Sequence, residues 1–420
     1  MKAGWEVKKL GEVCDLQNGY AFKSNDYVEF SNTLNIRMSS IRPDGSFDSE
    51  HNQRFLPDSY ASEYKSFLLS DDDLIIAMTD MAGDPKILGV PTLVSNRNGR
   101  NFLMNQRVGK LFDFTEQIYV PYLRYFLTSP LIKELYKNKG AGGLQINISK
   151  ADILSVDVPF SNITEQQRIV AILDQAFEGI AKARANAEQN LKKARALFES
   201  YLQSVFTERS KDWTTKSVGE LVTDGVLYKP FDGNHGEIHP RKSDFIASGV
   251  PFVMASDLVN GEVDTENCNH ISKKLADSLR VGFAKNGDVL ISHKGTIGRS
   301  AIVTSSDEYI MLTPQVTAYR IKDKTQFLNK FIRYYFMSPI FQNKIISAAQ
   351  DGSTRAYIGI TRQNNLKFIF PSLNEQQSIV VILNQLLPET QRLEAIYQRK
   401  ITLLDELKKS LLQQAFAREL

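Results

Sequence analysis

Two stretches of the chain combine glycine with basic and hydroxyl side chains, a combination suited to contacts with nucleic acid. Residues 78–86 read MTDMAGDPK, and residues 292–299 read SHKGTIGR. Glycine lets a backbone approach a groove closely, while Lys, Arg and His supply contacts to phosphate or to guanine. Because both stretches follow a β-branched, apolar run, we predict two loops that leave buried strands and face DNA.

Two further pairs of loops carry the same mixture of glycine and polar residues. Residues 140–147 correspond to 351–357, and residues 18–23 correspond to 224–229. Any one of these polar residues is equally consistent with a solvated surface position, so the prediction rests on the set. The predicted DNA contacts are Lys23, Arg37, Thr79, Lys86, Gln145, Lys229, Arg241, Lys242, His293, Lys294, Thr296, Arg299 and Arg355.

The sequence offers little support for catalytic chemistry. It lacks a G-x-x-x-x-G-K-[ST] phosphate loop, a G-x-G-x-x-G run after a strand and a G-x-S-x-G elbow. Pro57-Asp58 followed by Glu63-x-Lys65 resembles a metal-dependent nuclease signature. The corresponding positions of the second half hold no carboxylate, so we predict a polar helix there and no catalytic residues.

Metal binding is also disfavoured by the sequence. Cys14 and Cys268 are far apart and form no C-x-x-C pair, which argues against a disulfide framework or a zinc site. His235 and His239 lie in a loop marked by glycine and proline and lack the H-E-x-x-H order of a zinc protease. We therefore predict no metal ligands, with an ordinary polar loop at the two histidines.

The sequence elements that must position these loops occur twice along the chain. Trp5 and Gly11-Glu12 recur as Trp213 and Gly219-Glu220, and the Glu-Gln-Gln run at 165–167 recurs at 375–377. Four such blocks keep their order at offsets of 208 to 215 residues. This repeat predicts two mixed α/β domains, at 1–160 and 209–372, each followed by a long helix, at 161–208 and 373–420.

The two helical regions follow a heptad pattern of apolar residues. In the first, the stripe is Ile169, Leu173, Ala176, Ile180, Ala183, Ala187, Ala194, Leu197 and Tyr201, with Asn190 as its polar exception. In the second, it is Ile379, Leu383, Leu386, Leu393, Tyr397, Leu404, Leu407 and Leu411, with Thr390 and Lys400 as exceptions. Small residues in the first and large ones in the second favour packing of the two helices within one chain, although isolated helices or pairing between chains remain alternatives.

Three local features of the helices generate further predictions. Thr164 and Asn374 precede the Glu-Gln-Gln runs and are placed to cap the helix starts. Glu165, Gln166, Gln167, Glu375, Gln376 and Gln377 are candidates for contact with a partner, or simply a solvated first turn. Pro388 lacks an amide proton and should kink or break the second helix near Leu387.

The composition restricts the class of protein. The chain has 420 residues, of which 42% are hydrophobic and 24% charged, with a net charge of +3. These values are typical of globular proteins and exclude a mostly disordered chain. We expect a cytoplasmic protein, since there is no apolar run of membrane-spanning length and no secretion signal.

The duplicated order resembles the specificity subunit of type I restriction-modification systems. The likeness rests on the Trp/Gly-Glu pairs, the Glu-Gln-Gln helix starts, and residues 287–292 and 295–298, and it covers essentially the whole chain. The resemblance implies an α+β fold with two target-recognition domains separated by two long antiparallel coiled-coil helices, related by an internal pseudo-twofold repeat.

The resemblance also implies a function and a set of partners. The chain would be non-catalytic and would recognise a bipartite, asymmetric target in double-stranded DNA, with the helices setting the spacer. Methyltransferase subunits would use S-adenosylmethionine on adenine, and restriction subunits would use ATP and Mg²⁺, while this chain would hold no cofactor. The alternatives are a specificity subunit of a modification-only methyltransferase, a coiled-coil protein-binding adaptor and a free-standing enzyme.

Overall fold

The chain folds into two compact units. The computed structural model describes residues 5–96, 98–208, 210–235, 238–349 and 357–417. Unit 1 comprises Met1–Ala187 and Arg399–Leu420, and unit 2 comprises Glu188–Gln398. The first long helix, Ile163–Thr207, and the second long helix, Leu373–Phe416, each contribute one part to each unit. The four-part division predicted from the sequence, into two mixed domains and two long helices, stays a prediction.

Unit 1 is built on two four-stranded sheets with short helices beside them. The first sheet has the strand order Asp15–Asn18, Val108–Phe112, Leu74–Ala77, Pro91–Leu93, all antiparallel. The second has the order Phe55–Leu56, Thr33–Ile36, Asn101–Met104, Leu68–Leu69, with a parallel central pair. Two-stranded ladders join Glu6–Lys9 to Asp157–Phe160 and Thr79–Met81 to Gln145–Asn147. The α-helices are Tyr60–Glu63, Val120–Thr128, Pro130–Lys139 and Lys150–Leu154.

Unit 2 has the same plan with larger sheets. A six-stranded sheet has the order Phe231–Asp232, Val316–Tyr319, Val289–Ser292, Ser300–Ile302, Glu262–Val263, Leu258–Val259. A five-stranded sheet has the order Phe245–Ile246, Asn269–Ile271, Val250–Val253, Ile310–Leu312, Phe283–Ala284. Thr214–Ser217 pairs with Lys367–Phe370. The α-helices are Val218–Thr223, Lys273–Asp277, Asn329–Met337, Pro339–Ala349 and Ile360–Gln363.

In each unit, an aromatic residue near the end of a long helix enters the core of the mixed domain. Phe416 packs edge-on against Tyr122 and Phe126, with ring centroids 5.4 and 5.3 Å away. Its counterpart in the repeat, Phe206, lies 5.7 Å from Phe331 and 5.2 Å from Tyr335. Burial of a Phe side chain stabilises a fold by about 1.5–3 kcal/mol, so both helices are integral parts of the units.

The two long helices are antiparallel, as expected. In unit 1, Arg184 of the first helix forms an ion pair with Asp405 of the second. In unit 2, Arg195 Nε lies 3.2 Å from Glu394 Oε2. A later residue of the first helix thus faces an earlier residue of the second. The prediction that the helices pack within one chain is confirmed.

The predicted heptad register is wrong at Leu197 of the first helix, which is 49% exposed. The buried residues in this part are Leu191, Ala194, Phe198 and Leu202, so of the predicted stripe Ala194 is confirmed. In an α-helix with 3.6 residues per turn, positions seven residues apart are displaced by about 20° around the helix axis. Along a long straight helix, the residues that face the same partner therefore depart from a strict seven-residue pattern. Leu407 of the second helix is likewise exposed, for the same reason.

The predicted helix caps are also wrong. The first long helix begins at Ile163, and the Asn162 side-chain oxygen accepts from the Glu165 amide at 2.9 Å. The second begins at Leu373, and the Ser372 hydroxyl accepts from the Glu375 amide. Thr164 and Asn374 lie inside the first turn and do not cap it. The cap and the acidic residue three positions later form the usual start signal of a helix.

Pro388 does not break the second long helix, so that part of the prediction is wrong, while a kink near Leu387 stays a prediction. The helix is continuous through this residue from Leu373 to Phe416. A proline inside a helix removes one backbone hydrogen bond and crowds the preceding turn, at a cost of about 3 kcal/mol. The packing of the helix on both sides of Pro388 offsets this local cost.

Pro388 should therefore reduce stability, and Pro388→Ala should raise the free energy of unfolding by up to about 3 kcal/mol. The reciprocal change, Glu178→Pro at the matching position of the first long helix, should lower it by a similar amount. Urea unfolding of the full chain measures both. A destabilising effect of Pro388→Ala would mean that the helix needs a bend at this point.

Candidate nucleic-acid interface

Three of the predicted loops of unit 1 meet along one edge. The Met78 amide donates to Arg107 O at 2.9 Å, and Ile148 donates to Met78 O at 3.0 Å. Gln106 donates to Tyr20 O at 3.0 Å. These bonds bring residues 18–23, 78–86, 105–107 and 140–148 together, and we call this set the first recognition edge.

Unit 2 repeats this arrangement with different side chains. The His293 amide donates to Gln315 O at 2.9 Å, and Ile358 donates to His293 O at 3.1 Å. A β-bridge between Lys294 and Tyr357 joins the same two segments. We call residues 232–235, 292–299, 313–315 and 357–358 the second recognition edge.

The predicted match between residues 18–23 and 224–229 is wrong. Gly19 follows the strand Asp15–Asn18, and a Cβ on Gly19 would lie 2.1 Å from Asn105 O. Gly233 follows the equivalent strand, and its Cβ would lie 2.1 Å from Leu312 O. Asp232-Gly233 is therefore the counterpart of Asn18-Gly19, and Lys229 does not correspond to Lys23. Lys229 is exposed, so its own contact with DNA stays a prediction.

Thr79 is not available to read a base in this structure, and its predicted contact is corrected. It is 3% exposed, and its hydroxyl donates to Asn147 Oδ1 at 2.7 Å. It lies in the strand Thr79–Met81, which pairs with Gln145–Asn147. Its hydrogen bond holds the two loops of the first edge together.

His293 requires the same correction. Its side chain is completely buried, and Nδ1 is hydrogen-bonded to Thr317 Oγ1 at 2.8 Å. Burial lowers the pKa of His293 to about 4, so the ring is neutral at pH 7 and provides no positive charge for a phosphate. Gln363 donates to the same Thr317 hydroxyl at 3.0 Å and so extends a buried polar network beneath the second edge.

The other predicted DNA contacts are accessible or lie outside the described residues. The exposed ones are Lys23, Lys86, Lys229, Arg241, Lys242, Lys294, Thr296 and Arg299. Arg37 and Gln145 are partly exposed. Arg355 lies outside the described residues. The recognition of bases or phosphates by these side chains stays a prediction.

The exposed tip of the second edge is held by a closed turn. The Gly298 amide donates to Ser292 O at 2.9 Å, and the Arg299 amide donates to Ser292 Oγ at 2.9 Å. Gly298 has a φ of +92°, and a Cβ there would lie 2.1 Å from Gln342 Oε1. Only glycine fits this position. The turn leaves Lys294 and Thr296 exposed at its tip.

The first edge also carries two apolar residues that were not among the predicted contacts. Leu144 is 88% exposed and Met81 54% exposed, and the Ala82 amide donates to Leu144 O at 3.1 Å. Apolar side chains at such a site suit contact with thymine methyl groups. The sequence did contain a signal for Leu144, because it directly follows a stretch with three glycines in four residues. Such a stretch predicts a turn, and an apolar side chain on a turn is exposed.

Asp58, from the nuclease-like signature, has a structural role. Asp58 Oδ1 accepts from the Thr33 hydroxyl at 2.8 Å and from the Asn32 amide at 3.0 Å, so it is a structural acceptor. Burial raises the pKa of Cys14 to about 12 and that of Cys268 to about 11, which keeps both thiols protonated. Among the described residues, no group of three or more His, Cys, Asp or Glu side chains could hold a metal ion.

Gln166 and Gln376 hold the starts of the long helices and are not exposed to a partner, which corrects that prediction. Both side chains are completely buried. Gln166 Oε1 accepts from the Tyr119 amide at 2.8 Å, and Nε2 donates to Gln117 O and Ser161 O at 2.9 and 2.8 Å. Each amide thus joins its helix to the mixed domain of its unit.

Gln376 makes the same three bonds in unit 2. Its Oε1 accepts from the Leu328 amide at 3.1 Å, and Nε2 donates to Gln326 O and Pro371 O at 2.8 and 3.1 Å. Glu375 accepts from the Trp213 indole at 2.9 Å. Glu165 pairs with Arg168 at 2.8 Å. Gln167 and Gln377 are exposed, and their contact with a partner stays a prediction.

Comparison with known proteins agrees with this duplicated architecture. A family profile described as "Type I restriction modification DNA specificity domain" matches residues 2–191 and 210–403. The chain belongs to this family. The specificity subunit of the type I restriction enzyme EcoBI from Escherichia coli is 23% identical over 438 residues, covering 99% of this chain and 86% of that protein. The EcoKI specificity subunit from Escherichia coli strain K12 is 22% identical over 435 residues, covering 99% and 89%.

Two solved structures share the fold. A chain from a study titled "Structural basis underlying complex assembly and conformational transition of the type I R-M system" has a TM-score of 0.73 at 19% identity, covering 100% of this chain and 99% of that chain. The HsdS subunit from Thermoanaerobacter tengcongensis has a TM-score of 0.57 at 19% identity, covering 100% and 98%.

Membership of the family has two consequences for this chain. It is a type I specificity subunit with a role in DNA recognition, and it is not itself an enzyme. The α+β fold with two recognition domains and long coiled-coil helices is confirmed. No helix within the described part of the chain is both long and apolar enough to span a membrane.

The buried glutamines should be far more important for stability than their exposed neighbours. Gln376→Leu keeps the volume but removes the partner of one amide and two carbonyl groups that are buried or partly buried, each at a cost of about 1–3 kcal/mol. We expect a loss of at least about 3 kcal/mol in the free energy of unfolding. Gln377→Leu, one residue further along, should change it by less than about 0.5 kcal/mol. Equal effects in urea unfolding would show that the Gln376 bonds are not essential.

Proposed function

We propose that this specificity subunit recognises a bipartite, asymmetric target in double-stranded DNA, with each recognition edge reading one half. The observation that carries the proposal is the repeated edge. Both units bring the same backbone segments together, through the same hydrogen bonds at Met78 and at His293, but present different side chains. Two similar supports with different exposed residues suit two different short sequences.

The chemistry available at each edge supports different base preferences. The first edge offers exposed apolar side chains, Met81 and Leu144, together with the partly exposed amide of Gln145. The second offers Lys294 and Arg299, which suit contacts with guanine or phosphate. Phosphate contacts position each unit on the duplex, and base contacts then discriminate between sequences.

The partners follow from the same proposal. Methyltransferase subunits assemble with this chain and methylate adenine using S-adenosylmethionine, and restriction subunits use ATP and Mg²⁺. This chain contributes no cofactor and acts by placing the other subunits on the target. The long helices set the spacer between the half-sites, and the exposed Gln167 and Gln377 are available for partner contacts. Adenine methylation within a duplex requires the base to be extruded, so the methyltransferase must reach DNA held by this chain.

Genome-wide mapping of methylated bases tests the proposal directly. A host expressing this chain with its methyltransferase subunit should carry an adenine-methylated motif of two different halves separated by a fixed spacer. The same host without this chain should lack that motif. A single undivided motif, or no motif dependent on this chain, would contradict the proposal.

The second recognition edge can be tested separately. Lys294→Ala with Arg299→Ala should weaken binding by at least about tenfold, because contacts of this kind contribute about 1–3 kcal/mol each. Discrimination should be lost only in one half-site. The control is Lys274→Ala with Lys330→Ala, which removes two exposed lysines of the same unit away from the edge. Binding to DNA duplexes with one half-site randomised measures the effect. An unchanged base preference in both half-sites would show that these two residues do not contribute to recognition.

A further inference from the structure

A cavity of about 540 Å³ in unit 1 lies outside the loop pairing that defines the first recognition edge. It is bounded by the helix Pro130–Lys139 and by the part of the second long helix that belongs to unit 1. Five lysines line it, Lys86, Lys133, Lys137, Lys408 and Lys409, and we call these residues the lysine pocket.

The positive charges of the lysine pocket are incompletely balanced. Three carboxylates line the same cavity, those of Asp44, Glu134 and Asp405, and Asp405 is already paired with Arg184. Within the described residues, no carboxylate lies within 4 Å of the ammonium groups of Lys133 or Lys409. An additional anion would therefore relieve the repulsion among these lysines.

Lys133 is one of the two partly buried lysines in this group. Burial, together with the charges of Lys408 and Lys409, holds the pKa of Lys133 below its usual value. Lys408 Nζ lies 5.1 Å from the centre of the Phe177 ring, which fixes one side of the pocket. Lys133 and Lys408 are thus partly buried by packing, whereas Lys86, Lys137 and Lys409 line the same cavity from exposed positions.

The sequence repeat provides an internal comparison. At the positions matching Lys133, Lys408 and Lys409, unit 2 has Gln342, Phe198 and Glu199. Gln342 Nε2 donates to Gly298 O at 2.9 Å, and Phe198 is buried in the core. The common fold therefore does not require lysine at these positions. The lysine cluster is specific to unit 1.

We infer that the lysine pocket binds a phosphate group. Ammonium groups gathered in an open cavity are well suited to the several oxygens and the negative charge of a phosphate. The cavity is large enough for a phosphate with an attached sugar. The phosphate is supplied either by the DNA backbone beside the sequence read by the first edge, to which Lys86 connects the pocket, or by a free diphosphate or triphosphate. The first source rests on the proposed function, and the second does not.

Binding by the full-length chain, with and without Lys133→Ala and Lys409→Ala together, tests this inference. With DNA of the target sequence and with random DNA, the double variant should lose affinity by a similar factor, about tenfold at low salt. The slope of log affinity against log salt should fall by about 1 for each phosphate that the variant no longer neutralises. With inorganic pyrophosphate, calorimetry should detect binding to the wild type and at least tenfold weaker binding to the variant if a free phosphate is the ligand.

The control variant is Lys139→Ala with Lys400→Ala. These lysines lie on the same two helices but do not line the pocket, so the control should bind both probes like the wild type. Lys409→Glu alone, at an exposed position, provides a second test if the double variant unfolds.

The outcomes distinguish this inference from the proposed function. Loss of DNA affinity alone identifies the backbone as the source of the phosphate, and loss of pyrophosphate binding alone identifies a free phosphate compound. Unchanged binding of both probes overturns the inference. If the wild type shows no sequence preference for DNA, the proposed function fails, and the pyrophosphate measurement still decides the pocket.

Discussion

The buried amides of Gln166 and Gln376 are the constraint on which the rest of the structure depends. Each is completely buried and uses its oxygen and both amide hydrogens to bond backbone groups from two other segments. A buried amide is stable only when these bonds are all made, so it fixes the direction in which the long helix leaves the mixed domain. The recognition edges are built on sheets that share a core with these helix starts. The orientation of an edge relative to its own helix is therefore set by a polar contact as well as by apolar packing.

The repeat keeps the backbone contacts and changes the side chains. Met78 and His293 occupy equivalent positions and make equivalent backbone bonds, yet one is a core thioether and the other anchors a buried polar network. Because the backbone bonds do not depend on the side chain, exposed positions around them can vary without loss of the fold. Lys133 and Gln342 illustrate the same point outside the edges. One copy has an accessible charge where the other has an amide bonded to a neighbouring loop.

The sequence predicted the elements better than the individual contacts. The two long helices were predictable, because the apolar stripe that marks a helix is a local pattern. The burial of Thr79 depends on Asn147, which is 68 residues away, and that of His293 on Thr317, which is 24 residues away, and on Ile358. A prediction of isolated loops could not include these contacts. The predicted match between residues 18–23 and 224–229 failed because equivalent strands are defined by their pairing and not by sequence similarity. The caps at Asn162 and Ser372 were readable, since each stands three residues before a glutamate.

The division of the long helices between the units has a consequence for synthesis on the ribosome. Unit 2 is one continuous segment, from Glu188 to Gln398, whereas unit 1 combines Met1–Ala187 with Arg399–Leu420. Chains emerge from the amino terminus and usually fold one compact region at a time in that order. Residues 1–187 of unit 1 are therefore synthesised well before Phe416 and its neighbours. Until then, the apolar surface around Tyr122 and Phe126 stays exposed to solvent. The part of the protein that is translated first is thus the last to be completed.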